Sequence, residues 1–521
     1  MTFKIDLQQL DELKTSHVNV YEALERFLTD VNSPSVLYGN EGVQTGAYSP
    51  KLYTYRYKQI SYSFHFKQTI LRNERASGKS GFRYDYFEKA NSPYRAGGFG
   101  AVYPIMGTIT FTQDHFVHKR SLNKVVKHEH FQKANRKNAI IQEYKGLVQA
   151  GHLKVKPPLF NQNLDECNSF LIMEKAEGQT LESLLHPDKC SKLLSLQQRI
   201  ELTIAILQAI QSQIVERKLI HRDIKPGNII VNFAFSPPKV TIIDFGFIIE
   251  EGKQDKLRCG TRAYRSPESF EKNPIYSTKS DSWSAGRVLS YLWGDVYENY
   301  YMAKNKDRNY LLSIVKNAQL FSEPELELYL SEEDKGQIKT IIELMTTVST
   351  DKRISIADAL KSFQTIDFAK YLNTSLEETV NLTRFNVQVS LIEQKLLCLR
   401  VQSESLRNRH YPFEAAKMSR LEQRVSAYTD LLKKNPTPFL IEQYKSICSK
   451  EIEHSKSQLS HHRDLNWLLG EISIAIVLLG FGYVIALGVN YYSTGRLGLF
   501  SQTNSEKLLS NADETILQLM I

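Results

Sequence analysis

The chain has 521 residues, a formal net charge of +9, 42% hydrophobic and 24% charged residues, which is ordinary globular composition with room for modules beyond one domain. Its five cysteines (Cys167, Cys190, Cys259, Cys398 and Cys448) are odd in number and form no CxxC pair. That suits a reducing cytosol and excludes a disulfide framework or a zinc site as the organising principle. The modest positive charge is compatible with an acidic membrane surface or partner, and more simply with a solvated surface.

At the N-terminus Asp6, Asp11 and Glu12 interrupt any apolar run, so no signal peptide is read there. Val20, Leu24, Phe27, Leu28 and Val31 lie on one helical face and predict an amphipathic helix over 18–31. Tyr53, Tyr55 and Tyr57, then Ile60, Tyr62, Phe64 and Phe66, alternate with polar residues and predict two strands. Strand alternation also accounts for the interleaved Arg56, Lys58, His65 and Lys67, so no nucleic-acid role is assigned.

The next segments carry chemistry. In Tyr94-Arg95-Ala96-Gly97-Gly98-Phe99-Gly100-Ala101-Val102, small residues would let backbone N–H groups approach a phosphate closely; alone, such a cluster is an ordinary turn. Phe116-Val117-His118-Lys119 follows, then Glu143 in a helical stretch, then the apolar strand Phe170-Leu171-Ile172-Met173-Glu174. The run from His221 to Val231 places Asp223, Lys225 and Asn228 in one short loop entering a β-branched strand. A carboxylate, an ammonium and a carboxamide so grouped are the equipment for moving a phosphoryl group. A second carboxylate, Asp244 in Asp244-Phe245-Gly246, ends the strand Thr241-Ile242-Ile243. Further on come Gly260-Thr261, Ser266-Pro267-Glu268, Asp281-Ser282-Trp283-Ser284-Ala285-Gly286, and Arg353 through Leu360. Two decoys are set aside. Gly78-Lys79-Ser80 lacks the earlier glycine of a P-loop, whose place is taken by Asn73, and the second His-Arg-Asp at 462–464 has no lysine after it.

Beyond residue 365 the pattern is helical and charged, with Leu421, Val425, Tyr428 and Leu432 at helical spacing and Pro436 and Pro438 breaking the chain before another helix at about 440–465. Three helices are expected there. Residues 472–489 carry no charge, with Trp467 before them and Tyr491 and Tyr492 after, which meets the lower limit for one transmembrane helix. A hydrophobic hairpin buried against the preceding domain is the alternative. A polar tail follows.

Taken in order, the segments from residue 90 to 365 resemble the signatures of eukaryotic-type serine/threonine protein kinases. The resemblance implies an α+β, two-lobed protein-kinase fold with an N-terminal extension and an α-helical C-terminal region. The divisions expected are an extension over 1–83 (helix plus β-hairpin, packing on the small lobe), a kinase domain over 84–366, helices over 367–465, a hydrophobic segment over 466–492 and a tail over 493–521. It also implies ATP and Mg²⁺. Tyr94 through Val102 would cover the nucleotide, with Val117 on the adenine side. Lys119 would hold the α- and β-phosphates, positioned by Glu143, with Met173 as gatekeeper and Glu174 in the hinge. Asp223 would orient the attacking hydroxyl and Lys225 steady the γ-phosphoryl, while Asn228 and Asp244 would hold magnesium. Arg353 would pair with Glu268.

Three departures stand out. Arg95 replaces the first glycine of the phosphate loop, and Val117 replaces an alanine. The segment from Phe247 to Gly260 contains no serine, threonine or tyrosine but does contain Glu250, Glu251 and Asp255, one of which is expected to meet Arg222. Lys225 with Gly260-Thr261 resembles the serine/threonine branch, so a protein serine or threonine is the expected acceptor. A scaffold that binds ATP without catalysis, and phosphorylation of a small molecule, are the alternatives. The layout as a whole also resembles effector kinases that intracellular bacteria deliver into host cells, which would make the substrate a host protein. Use of ATP would place the kinase domain on the cytosolic side, anchored through 472–489.

Overall fold

The computed structural model describes residues 1–39, 51–75, 81–89, 93, 95–97, 100–111, 116–120, 123–131, 134–162, 167–186, 194–253, 255, 257–296, 307–368, 382–408, 411–458, 463–477 and 479. The N-terminal elements are β1 (Thr2–Ile5), α1 (Leu10–Ser16), α2 (Val18–Thr29), β2 (Val36–Leu37), β3 (Tyr53–Tyr57), β4 (Ile60–Phe66), β5 (Thr69–Glu74) and β6 (Phe82–Phe87). On α2 the expected stripe of Val20, Leu24, Phe27 and Leu28 is buried, but Val31 is 73% exposed, because the helix ends at Thr29 and Asp30 turns extended. Phe27 packs among the rings of Tyr53, Tyr55, Phe64 and Phe66. The hairpin β3–β4 turns through Lys58 and Gln59, whose φ angles of 47° and 64° make the two-residue turn that matches strand twist. β1 adds to β4 in parallel, giving a three-stranded sheet of order β1-β4-β3.

The chain continues through β7 (Arg95–Gly97), β8 (Gly100–Pro104), β9 (Gly107–Phe111), β10 (Phe116–Arg120) and β11 (Lys124–Phe131), then α3 (Ala134–Ala150), β12 (Leu159–Gln162) and β13 (Cys167–Glu174). Its sheets interleave. β7, β8, β11, β13 and β12 form one five-stranded sheet in the order β12-β13-β11-β8-β7. Between β8 and β11 the chain leaves that sheet, and β9 and β10 extend a second one of order β10-β9-β6-β5-β2. Val36, Leu71 and Phe87 from the second sheet meet Ile105, Val126, Phe170 and Ile172 in a shared apolar layer. The N-terminal extension is thus woven into the small lobe by an inserted hairpin, not merely packed upon it. Sequence periodicity reveals the first hairpin, but the pairing of β9 with β6 is non-local and leaves no local signal.

A buried charge fastens the two sheets. Asp85 on β6 is fully buried, accepts from Lys156 Nζ at 2.5 Å and from Thr108 Oγ1 at 2.6 Å, and lies 3.3 Å from Lys124 Nζ on β11. Burial alone would raise its pKa, but the two lysines and the threonine hydroxyl outweigh that and hold the carboxyl below its usual range.

The large lobe holds β14 (Gln179–Thr180), α4 (Leu181–Leu185), α5 (Leu196–Gln213), β15 (Leu219–Ile220), β16 (Ile229–Asn232), β17 (Lys239–Ile242), β18 (Ile249–Glu250), α6 (Thr278–Leu292), α7 (Arg308–Lys316), α8 (Pro324–Tyr329), α9 (Glu332–Met345) and α10 (Ile356–Gln364). α5 starts in a capping box between Ser195 and Gln198. Every residue of α6 from Ser280 to Leu292 is buried, so this helix is the axis of the lobe. Leu202, Ile206, Val288, Leu289, Ile342 and Ala359 join α5, α6, α9 and α10 in one core.

Four C-terminal helices are described where three are expected: α11 (Leu382–Asn408), α12 (Pro412–Lys434), α13 (Pro438–Gln458) and α14 (Arg463–Val477). They form a bundle with its own core, and the start of the late apolar segment belongs to that core. Ile472, Ala475, Ile476 and Leu479 are buried among Val389, Ile392, Tyr444 and Ile452. Among the described residues no helix is long and apolar enough to cross a membrane, and 480–521 lie outside them. The bundle docks on α8. Leu328 enters its core, Arg424 Nη2 donates to Glu327 Oε2 at 2.9 Å, and the Tyr428 hydroxyl donates to the same carboxylate.

Asp85→Ala should cost about 3–5 kcal/mol at pH 7, since it leaves two lysines facing an emptied buried site. Because the folded carboxyl pKa is depressed, its stabilisation is full above the unfolded value of about 3.9 and is lost as pH falls through the folded value. Urea unfolding of both proteins at pH 7 and pH 3 should show the difference shrinking at the lower pH.

Candidate active site

The lysine facing Glu143 is Lys127, not Lys119. On β11, Lys127 Nζ donates to both Glu143 carboxylate oxygens at 2.7 and 2.8 Å and lies 3.6 Å from Asp244 Oδ1. Lys119 is on β10, exposed, and pairs across its strand with Thr108 in the other five-stranded sheet. Val117 sits on the same strand opposite Thr110, so it too belongs to the inserted hairpin. The inserted hairpin is the cause: it puts a strand bearing a lysine, Lys119 on β10, where an uninterrupted pattern has the one that meets the helix. A usable signal was present in Val125-Val126-Lys127, a β-branched run ending on a lysine 16 residues before Glu143.

The surroundings of Lys127 are unusually acidic. Glu129 Oε1 lies 3.3 Å away, and Glu129 is itself gripped by Arg136 of α3 through two bonds of 2.9 Å. Strand β11 and helix α3 are therefore joined by two crossed ion pairs, Lys127–Glu143 and Glu129–Arg136. Neither Glu129 nor Arg136 was singled out from sequence. Burial disfavours the lysine charge, but Glu143, Asp244 and Glu129 outweigh it and raise its pKa above the ordinary lysine value. Lys127 thus stays cationic.

The glycine segment runs over the same sheet. Arg95 pairs with Val102, Ala96 with Ala101 and Gly97 with Gly100 in the hairpin β7–β8, while Val102 stands opposite Lys127 on β11. Gly100 has φ +115°, and a side chain there would meet the His128 carbonyl oxygen at 2.4 Å. Tyr94, Gly98 and Phe99 lie outside the described residues. Met173 pairs with Val125 and Glu174 with Lys124 at the end of β13, beside this surface.

Below it, Asp281 at the start of α6 organises the loop. Its fully buried carboxylate accepts from the backbone N–H groups of His221 at 2.7 Å and Arg222 at 2.9 Å. Arg222 is held at φ 66°, in the left-handed region, which turns the chain so that Asp223 points into the site. Asp223 Oδ1 accepts from the Thr261 backbone N–H at 2.8 Å and its hydroxyl at 2.7 Å, and Oδ2 accepts from Lys225 Nζ at 2.8 Å. Lys225 also donates to Thr261 Oγ1 at 2.8 Å, and Asn228 Nδ2 donates to the Asp223 carbonyl at 2.9 Å. Asp223, Lys225, Asn228 and Thr261 form one network. Asp244, at φ 66°, turns its carboxylate toward Lys127, while Phe245 is buried with its ring edge-on to His221 at 5.1 Å. The backbone N–H of Ile243 donates to the Asn228 carbonyl at 2.9 Å, tying the two loops together.

Among the described residues no cluster of three or more His, Cys, Asp or Glu side chains could hold a metal by itself. One carboxylate, Asp244, and one carboxamide, Asn228, are nonetheless hard oxygen donors. That sparse set fits Mg²⁺, which takes one or two protein ligands and completes its shell with phosphate oxygens and water. Farther down, Arg353 donates to Glu268 through two bonds of 2.9 and 3.0 Å, the pair expected from sequence, and Ser280 Oγ adds a third at 2.8 Å. This fixes the segment carrying Thr261 to α6.

Lys127→Ala should abolish nucleotide-dependent labelling and destabilise the fold by about 3–5 kcal/mol, because Glu143 is left buried and uncompensated. Lys127→Arg keeps the charge and should preserve folding while still losing most labelling. Lys119→Ala should match the unaltered chain within about twofold in both labelling and thermal unfolding, as an exposed surface lysine does.

Comparison with known proteins agrees with this geometry. The protein kinase domain family matches residues 96–363. The chain is 30% identical over 198 residues to the serine/threonine-protein kinase nekl-2 of Caenorhabditis elegans, covering 36% of this chain and 51% of that protein. It is 32% identical over 158 residues to the serine/threonine-protein kinase dkf-2 of Caenorhabditis briggsae, covering 30% of this chain and 13% of the relative. The chain thus spans about half the length of the first of these curated relatives and a small part of the second. With the crossed lysine–glutamate site, the Asp223 network and a match over more than half of its length, the chain belongs to the protein kinase family.

Proposed function

We propose that the protein transfers the γ-phosphoryl group of Mg·ATP to a serine or threonine hydroxyl of a protein. The observation that carries this reading is the Asp223–Lys225–Thr261 network, within which a carboxylate is held ready and an ammonium lies 2.8 Å from it. In the transfer, the acceptor oxygen forms a bond to phosphorus as the bond from phosphorus to the bridging β,γ oxygen breaks, leaving ADP. Asp223 orients the acceptor hydroxyl and takes its proton. Lys225 lies against the transferred group as charge moves toward the leaving oxygen. Lys127, kept cationic and aimed by Glu143, binds the α- and β-phosphates. Asn228 and Asp244 would hold magnesium, which supplies neutralisation of phosphate charge when bound. Most of the rate gain is positioning and electrostatics.

Serine or threonine as acceptor is supported by Lys225 with Gly260-Thr261, and by the serine/threonine kinases named above. Catalysis is favoured over a purely ATP-binding scaffold because each charged group the chemistry needs is present and hydrogen-bonded in a working arrangement. The likeness to delivered effectors rests on layout, and the late apolar stretch begins inside the bundle core, so it adds nothing to this reading.

The test is labelling of a generic protein substrate, and of the chain itself, by the full chain with Mg²⁺ and γ-labelled ATP. Label should fall on serine or threonine, and Asp223→Asn should lower kcat by about 10²–10⁴-fold with ATP affinity retained. Label on tyrosine, or none from the unaltered chain despite bound ATP, would overturn the reading.

A further inference from the structure

Arg222 raises a question that its neighbours answer. Its side chain is only 2% exposed, and a guanidinium taken out of water needs a partner of opposite charge. That partner comes from the segment between Asp244 and Thr261: Arg222 Nη1 donates to Asp255 Oδ2 at 2.7 Å. Of the three carboxylates in the segment, Asp255 is the one so engaged. Arg222 Nε donates to the Phe247 carbonyl at the other end of the same segment, and the guanidinium rests over the Tyr276 ring at 5.0 Å. Asp255 is itself steadied by the backbone N–H of Leu257, which donates to its second oxygen at 2.9 Å.

Three more contacts fix this segment to the rest of the site. Leu219 pairs with Glu250 and Ile220 with Ile249, making a two-stranded ribbon beside the catalytic loop. Gly146 on α3 presses so close to Ile248 that a side chain on the glycine would meet Ile248 Cγ2 at 2.4 Å. Gly260, at φ +91°, lets the chain pass the Arg222 carbonyl where a side chain would come within 2.3 Å. The segment is thus clasped at its start, middle and end. Arg222 is the residue before Asp223, so what holds Arg222 also holds the carboxylate.

Segments of this kind are often ordered by an added phosphate that meets an arginine. Here residues 247–260 offer no hydroxyl to carry one. The next hydroxyls are already in use: Thr261 is bonded to Asp223 and Lys225, Tyr264 and Ser266 are buried.

We propose that Asp255 is a positioning residue whose carboxylate permanently occupies Arg222, so that the phosphotransferase is assembled without phosphorylation of its own segment. The proposal rests on the kinase reading above. Asp255 is bonded to Arg222 and to the Leu257 N–H, not to Asp223, Lys225 or Thr261, and acts through Arg222 on Asp223.

The experiment compares the full chain, phosphatase-treated and confirmed unphosphorylated by intact mass, with Asp255→Ala and Asp255→Glu. Labelling rate, ATP affinity, thermal unfolding and the rate of tryptic cleavage after the exposed Arg258 are read for each. The dephosphorylated chain should keep full initial rate with no lag. Asp255→Ala should lose at least tenfold in kcat with KM for ATP within about threefold, unfold at nearly the same temperature, and be cut after Arg258 several-fold faster; Asp255→Glu should recover most of the loss in both rate and protection. Full activity in Asp255→Ala, or loss of activity on dephosphorylation, would overturn the proposal. Failure of the kinase reading is separate: it shows as absence of label from every form, and cleavage after Arg258 then decides alone whether Asp255 orders the segment.

Discussion

The Asp281 carboxylate, sealed in the centre of the large lobe, accepts two backbone N–H groups from a loop it does not adjoin in sequence. Burying an anion is expensive unless donors surround it, and here the donors are the backbone of His221 and Arg222. Burial raises the pKa of this carboxyl, against the pull of His221 and Arg222, so the N–H bonds are what make the site tolerable. The consequence runs outward. With its N–H tied down, Arg222 takes a left-handed backbone, Asp223 meets Lys225 and Thr261, and His221 presents its ring to Phe245. Phe245 is buried next to Asp244, whose backbone is also left-handed. One buried carboxylate on α6 therefore anchors the backbone from which Asp223 projects.

The small lobe works by a different balance. Its sheet and α3 are coupled by charge: Lys127 with Glu143 and Glu129 with Arg136 cross between β11 and α3 at 2.7–2.9 Å. Removing one partner of either pair would leave an uncompensated charge, so the helix is held close to the strand even before any ligand contributes. Asp85 repeats the logic one layer away, binding Lys124 of β11 and Lys156, which precedes β12, to the sheet that carries β6. A lobe that in outline is one sheet and one helix is here backed by a second five-stranded sheet and its aromatic core. The C-terminal bundle grips the opposite lobe through α8, where Glu327 accepts from both Arg424 and Tyr428. Both flanking regions are thus continuous with the kinase core through buried or half-buried polar contacts as well as apolar packing.

Much of the catalytic half was legible in the sequence because its chemistry is local. Asp223, Lys225 and Asn228 fall within one loop, and Asp244 ends the next strand, so their proximity needs only a hairpin, β16–β17, to bring them together. The acidic character of residues 250–255 and the absence of hydroxyls there were equally plain, and the pairing of Glu268 with Arg353 followed from the order of the segments. The lysine that meets Glu143 was not legible in the same way. Lys119 and Lys127 both end β-branched or aromatic runs, and only one faces α3. Strand periodicity tells which residues alternate, but not which sheet a strand joins.

By itself, then, the sequence determined the family, the large-lobe site and the amphipathic elements, because these depend on residue type and short-range order. Tertiary structure decided which lysine meets Glu143, which carboxylate meets Arg222, and where the late apolar segment begins to be buried. Each of those is a contest between chemically equivalent candidates: two lysines, three acidic residues, and a lipid or a protein interior for one apolar face. Sequence lists the contestants. Long-range packing chooses among them, since a charge is stabilised only by the partner that the fold brings within about 3 Å, and an apolar face only by whatever covers it.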